Sequence, residues 1–279
     1  MAELPLSIGA ALMVEDLPTY RDWLIEGQRD LEVQDFLKPD VLLGDWRARV
    51  AEAKRHLDGF EGRLGIHGPF CDLPLDITDP ELAPILSRRM VTAVEAASAL
   101  GARQMVVHSP YKTWDWFNFG NNPRAGNTPS AAETTIARVQ ANLAEAVRLA
   151  ETHGVTLVIE NIEDIAPSWR RELAASFGSD AVRVSIDTGH AHYAHATTGA
   201  PPVDYFVTDA GPMLSHVHLQ DADGFADRHW PPGRGTVNWH AVFRAIATLP
   251  QRPHLVLELR HAADIPAAMG YLEREGLAR

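Results

Sequence analysis

Short apolar runs recur along the chain, and most alternate with polar residues in a period of two. Such β-type runs are read at 6–10, 30–36, 63–70, 104–110, 155–162, 182–189, 215–221 and 254–260. Segments with helical spacing lie between them, most clearly at 81–100, 131–153, 239–248 and 264–275. Helix starts are expected at Thr78-Asp79-Pro80, Thr128-Pro129-Ser130 and Asp264-Ile265-Pro266, where a polar cap precedes or carries proline. Gly101 and Gly154 stand where helices would turn into the next strand.

Strands alternating with helices predict βαβ units and a parallel sheet. Eight of them in 279 residues predict an α/β fold, a closed (β/α)₈ TIM barrel forming one domain over 1–279. No Gly-x-Gly-x-x-Gly follows the first strand, which disfavours an open dinucleotide-binding sheet.

Composition narrows the picture further. Hydrophobic residues at 46% can fill a barrel core, and a lone cysteine, Cys71, excludes a disulfide framework or a cysteine zinc site. A formal charge of −12 argues against a broadly basic nucleic-acid surface. The apolar run at 6–14 has no basic residue before it and runs into Glu15-Asp16, so it does not read as an export signal. No stretch is long and apolar enough for a bilayer, and a cytoplasmic protein is expected. A homo-oligomer is compatible with all of this.

A strand's period of two then sorts its residues between helices and barrel interior. In "LGIHGPF" Leu64 and Ile66 face the helices and His67 faces in; in "MVVHSP" His108 shares the inward face of Val106. Glu160 points in from "VTLVIEN", and Asp187 from "VRVSIDTGH" with His190 just beyond. "HVHLQD" places His216, His218 and Gln220 inside, and "HLVLELR" places Glu258 and Arg260 there. Six successive strands thus deliver an acid or imidazole near their C-terminal ends, the rim where such barrels carry active sites. A single inward histidine is more often a satisfied core residue, but three carboxylates facing one another repel unless a cation sits between them. A divalent metal on Glu160, Asp187, His218 and Glu258 is the simplest resolution. One nitrogen and three oxygens suit Mn²⁺ first, with Mg²⁺, Co²⁺ or Zn²⁺ as alternatives.

The motifs "HGPF", "VVHSP", "VIEN", "DTGHAH", "HVHLQD", "DRHWPPGRG" and "LVLELR", in order over about 63–260, resemble the xylose-isomerase-like barrel superfamily. That group joins sugar isomerases and epimerases to the endonuclease IV type of repair enzyme. In its epimerase branch the resemblance implies one metal on Glu160, Asp187, His218 and Glu258. In its endonuclease branch it implies three zinc ions, adding His67, His108, His190, Asp227 and His229 as ligands. "HGPFCDLPL", "HLQDADG" and Phe70, where the endonuclease type would carry tyrosine, lean toward the sugar branch.

The favoured expectation is a metal-dependent isomerase or epimerase of a small sugar or keto-sugar, phosphorylated or not. Glu160 and Glu258 would move the proton, and His190 and Arg260 would hold substrate oxygens. Arg260 has a rival role, an ion pair that orients Glu258. The long segment 111–130, with Tyr111, Trp114, Trp116, Phe117 and Phe119, is expected either as a lid placing Trp114 and Trp116 on the sugar or as packing. The alternatives are a three-metal abasic-site endonuclease, a sugar lyase or dehydratase, and a binding barrel without catalysis.

Overall fold

The computed structural model describes residues 4–120 and 131–279. Eight strands form the inner wall: β1 (Gly9–Leu12), β2 (Leu31–Val33), β3 (Leu64–His67), β4 (Gln104–His108), β5 (Thr156–Glu160), β6 (Val182–Asp187), β7 (Leu214–Leu219) and β8 (His254–Leu257). They pair in parallel in chain order, and β8 closes on β1 with Gly9 opposite Val256. Helices surround this barrel, among them Ala83–Leu100, Ala131–His153, Trp239–Ala247 and Ile265–Arg274 near their expected bounds.

Alternation along the strands places the core. Met105, Val107, Leu157 and Ile159 join helix residues such as Leu86, Met90 and Leu143 in one continuous apolar layer. Val106, Val158 and Val256 are equally buried but stand apart from that layer, on the opposite strand face. Each fully buried aliphatic side chain stabilises the fold by about 1.5–3 kcal/mol, so the two faces fix the register.

Two boundaries that differ from the pattern have visible causes. The first strand begins at Gly9, because Leu6 instead donates its N–H to Leu277 O and bridges Ala278. Gly9 packs so closely on β2 that a Cβ would lie 1.4 Å from Asp30 O, a position only glycine can hold. Asp79 accepts from Glu81 N and Leu82 N in a turn, and the helix itself starts at Ala83. The expected start at Thr128-Pro129-Ser130 lies outside the described residues.

The two rims differ in kind. At the N-terminal rim Arg63 grips Asp30 through two hydrogen bonds of 2.7 and 2.6 Å, and Asp30 also accepts from Leu255 N. At the opposite rim the buried Asp221 organises the long segment after β7. Its Oδ1 accepts from Ala222 N and Val237 N, and its Oδ2 from Gly233 N and Trp239 Nε1. Asp221→Ala leaves these donors without their acceptor and should lower unfolding free energy by about 3 kcal/mol or more. Denaturant unfolding checks this, and a loss below ~1 kcal/mol would contradict it.

Candidate metal centre

The parallel strands end together at one rim, so their last inward residues meet. β3 brings His67, β4 His108, β5 Glu160, β6 Asp187 and β7 His218, while Glu258 directly follows β8. Glu160, Asp187, His218 and Glu258 each place one ligand atom within 4.8 Å of the others. The four residues expected from the sequence therefore do converge.

Local structure aims each of them. Asp187 ends its strand as the N-cap of the helix Thr188–Thr198, so its Oδ1 accepts from His190 N at 2.6 Å. Its other oxygen, Oδ2, is buried without a hydrogen-bond partner. Asn161 clamps β5 to β6: its Oδ1 accepts from Asp187 N, and its Nδ2 donates to Asp187 O. Glu160 Oε1 contacts His218 Nδ1 at 3.2 Å, while its Oε2 is also buried and unpartnered. Gln34 donates to Glu258 Oε1 at 2.6 Å, and Glu258 Oε2 lies 3.4 Å from His218 Nδ1. Two orphaned carboxylate oxygens beside an imidazole fit a divalent cation, because a buried acceptor left without a donor is costly.

Two further groups flank this one. His67 Nε2 and His108 Nε2 both stand 3.8 Å from Glu160 Oε2, wider than a hydrogen bond and near the separation of ligands about 2 Å from one ion. On the other side His190, Asp227 and His229 converge, with His190 Nε2 at 3.5 Å and His229 Nε2 at 3.1 Å from Asp227. Gln220 ties this group to the first by donating to Asp187 Oδ1 and Asp227 Oδ1 and accepting from His229 N. His229 sits at φ 49°, a left-handed backbone strained for a side-chain-bearing residue and held by these contacts.

Burial and mutual charge shift the titration of the metal-free groups. Burial pushes the Asp187 carboxyl up to about 6, against the opposing charge of His190. Burial disfavours the charged Glu160 too, but His218, His190 and His108 outweigh it and hold that carboxyl well below the usual range. Burial would neutralise His218, yet Glu258, Glu32 and Glu160 around it raise it well above an ordinary imidazole. His229 rises to about 9 in the same way, against burial and through Asp227, Glu258 and Asp187. Burial drives His108 down to about 3.

A cavity of about 340 Å³ opens above this centre, lined by Gln34, Leu37, His67, Phe70, His108, Glu160, Ile162, His190, Asp227, His229, Glu258, Leu259 and Arg260. The Phe70 ring stacks on His108 with centroids 3.9 Å apart, forming an apolar wall. Arg260 lines the mouth but makes no ion pair with Glu258 among the described residues; Gln34 has the orienting role instead. Trp114 and Trp116 are not on the cavity wall. Trp116 packs on Trp169 of the helix Pro167–Ser176, Trp114 is exposed, and the segment 121–130 lies outside the described residues. The aromatic pattern alone could not separate a lid from packing.

Sequence reasoning missed Glu32. It alternates with Leu31 and Val33 in β2 and lies buried inside the barrel against His216 and His218, so the same period-of-two rule places it. Gln34, two residues further on, was missed as well.

A family model described as xylose isomerase-like TIM barrel matches residues 32–275, and the chain belongs to that family. The TTHB071 protein from Thermus thermophilus, in a structure soaked with ZnCl₂, is 28% identical, with a TM-score of 0.73 covering 96% of this chain and 97% of that one. A D-tagatose 3-epimerase-like protein matches at 21% identity and TM-score 0.75, covering 96% of each chain. The 3-keto-D-glucoside 4-epimerase of E. coli matches at 15% identity and TM-score 0.69, covering 96% of this chain and 99% of that one. The latter two likenesses are of fold. No helix among the described residues is long and apolar enough to cross a membrane.

An ion held by these residues would need Asp187 ionised and His218 Nδ1 free of its proton. Chelator-stripped protein should therefore bind Mn²⁺ more weakly as pH falls through about 6, the position to which burial brings Asp187. Calorimetric titrations from mildly acidic to mildly alkaline pH check this, and an affinity that does not change over that range would contradict it.

Proposed function

We propose that the protein is a divalent-metal-dependent isomerase or epimerase acting on a small sugar or keto-sugar. The observation that carries this reading is the cavity of about 340 Å³, which has Glu160 and Glu258 together in its wall. Such a volume suits a small molecule. Membership of the xylose isomerase-like family supports the same reading.

Glu160, Asp187, His218 and Glu258 would hold the ion, and their one nitrogen and three oxygens favour manganese, with magnesium, cobalt and zinc as the other candidates. When bound, the ion supplies Lewis-acid polarisation of a substrate carbonyl, which acidifies the neighbouring C–H. One of the two glutamates removes that proton, leaving an enediolate. The other returns a proton to the opposite face or the adjacent carbon. Gln34 keeps Glu258 aimed by its 2.6 Å hydrogen bond. His190 and the exposed Arg260 hold substrate oxygens at the mouth, and Arg260 is suited to a phosphate if the sugar carries one. Phe70 meets the apolar edge of the substrate and keeps water off it.

A second reading is favoured by the two flanking groups, His67–His108–Glu160 and His190–Asp227–His229. With an ion in each, the centre would activate hydroxide for phosphodiester hydrolysis, as an abasic-site endonuclease requires. Metal analysis of protein purified without chelator separates the two: about one ion per chain for the isomerase, about three for the hydrolase.

In D₂O with Mn²⁺ and a panel of keto-sugars, the protein should introduce deuterium at the carbon next to the carbonyl. Glu160→Gln and Glu258→Gln should each lower the rate by about 100-fold or more. Cleavage of abasic duplex with no deuterium entering any sugar would overturn the reading.

A further inference from the structure

Below the candidate metal centre, the barrel encloses a carboxylate for which the proposed reaction has no use. Glu32 is 1% exposed, and among the described residues its carboxylate contacts are the imidazoles of His216 and His218. His218 Nε2 lies 3.1 Å from Glu32 Oε1 and 3.2 Å from Oε2. His216 Nε2 lies 3.2 Å from Oε2 but is angled off a hydrogen-bond line, and its Nδ1 meets Ser185 Oγ at 2.9 Å. The opposite nitrogen of His218, Nδ1, faces Glu160 Oε1 and Glu258 Oε2.

We infer that Glu32 is the positioning residue that keeps the proton of His218 on Nε2, so that Nδ1 presents its lone pair to the metal centre. This rests on the metal-dependent reading above and goes beyond it by assigning a role to a residue outside the four that would hold the ion. A neutral imidazole carries one N–H, and a carboxylate can only accept. With Glu32 in bidentate reach of Nε2, a proton on Nδ1 would leave a buried carboxylate facing a buried lone pair. Ring orientation follows from the same contact, because the Glu32 carboxylate and the Glu160–Glu258 pair address opposite edges of the imidazole. A carboxylate behind a metal-binding histidine fixes its tautomer and strengthens it as a donor, and losing such a partner weakens metal affinity about 10–100-fold.

The test uses the full chain and three forms of residue 32: wild type, Glu32→Gln and Glu32→Leu. Calorimetry with Zn²⁺ reads affinity, long-range ¹H–¹⁵N spectra of the histidines read which nitrogen of His218 is protonated, and circular dichroism confirms the fold. The wild type should show Nε2–H both with and without zinc. Glu32→Leu should bind zinc about 10–100-fold more weakly and, in the metal-free protein at a pH high enough to leave His218 neutral, lose the single Nε2–H form of the wild type; Glu32→Gln, which keeps a carbonyl acceptor, should fall between. A merely structural role would change melting temperature and leave the tautomer as it is. Folded Glu32→Leu with unchanged zinc affinity and unchanged His218 protonation overturns the inference, as does a wild-type His218 whose Nε2 is bare. If wild-type protein takes up no zinc, the metal-dependent reading fails instead. The metal-free spectra at high pH then still decide the role of Glu32.

Discussion

Carboxylates taken out of water repel one another, and the placing of the charged groups at this barrel's mouth answers to that repulsion. Glu32, Glu160 and Asp187 are fully buried, and Glu258 stands beside them. No lysine or arginine ion pair reaches these four among the described residues; histidines fill the spaces between them. Imidazoles can offset the charge when protonated, but each then stops being a metal ligand. The alternative is a cation among the carboxylates with the imidazoles neutral. The orphaned oxygens of Glu160 and Asp187 match that second arrangement.

The scaffold around these groups is built to prevent relaxation. Asn161 locks the ends of β5 and β6 together, Gln220 spans Asp187, Asp227 and His229, and Asp221 gathers the segment after β7. Each is a buried amide or acid whose capacity is spent on neighbouring backbone or on site residues. Such rigidity keeps ligands aimed when no ion holds them, at the cost of strain at His229. The division of labour between rims follows: Arg63 and Asp30 secure the N-terminal end, and the C-terminal end carries the chemistry.

Much of this was legible because strands report their facing directly. An inward Glu160 or His218 follows from its apolar neighbours, and parallel strands of similar length bring their ends to one plane. Glu32 obeys the same rule, but it stands in mid-run at 30–36 rather than at a strand's C-terminal end, where most of the other inward acids and imidazoles lie. Of the two roles open to Arg260, the ion pair with Glu258 is not made; Gln34, just past the end of β2, bonds that carboxylate instead, because sequence proximity does not predict contacts across a barrel. The aromatics of 111–119 were ambiguous for a different reason. Trp116 buries its face on Trp169, a residue of a helix far along the chain, and composition carries no information about that pairing. Likewise the strain at His229 depends on contacts from Gln220 and Asp227 that a linear pattern cannot display.

The measurement closest to the central claim is anomalous diffraction from crystals of the intact protein soaked in Mn²⁺. The account predicts a strong peak enclosed by Glu160, Asp187, His218 and Glu258, with His218 Nδ1, Glu160 Oε2 and Asp187 Oδ2 turned to it. Well-ordered crystals with those four side chains in place and no peak between them would contradict it.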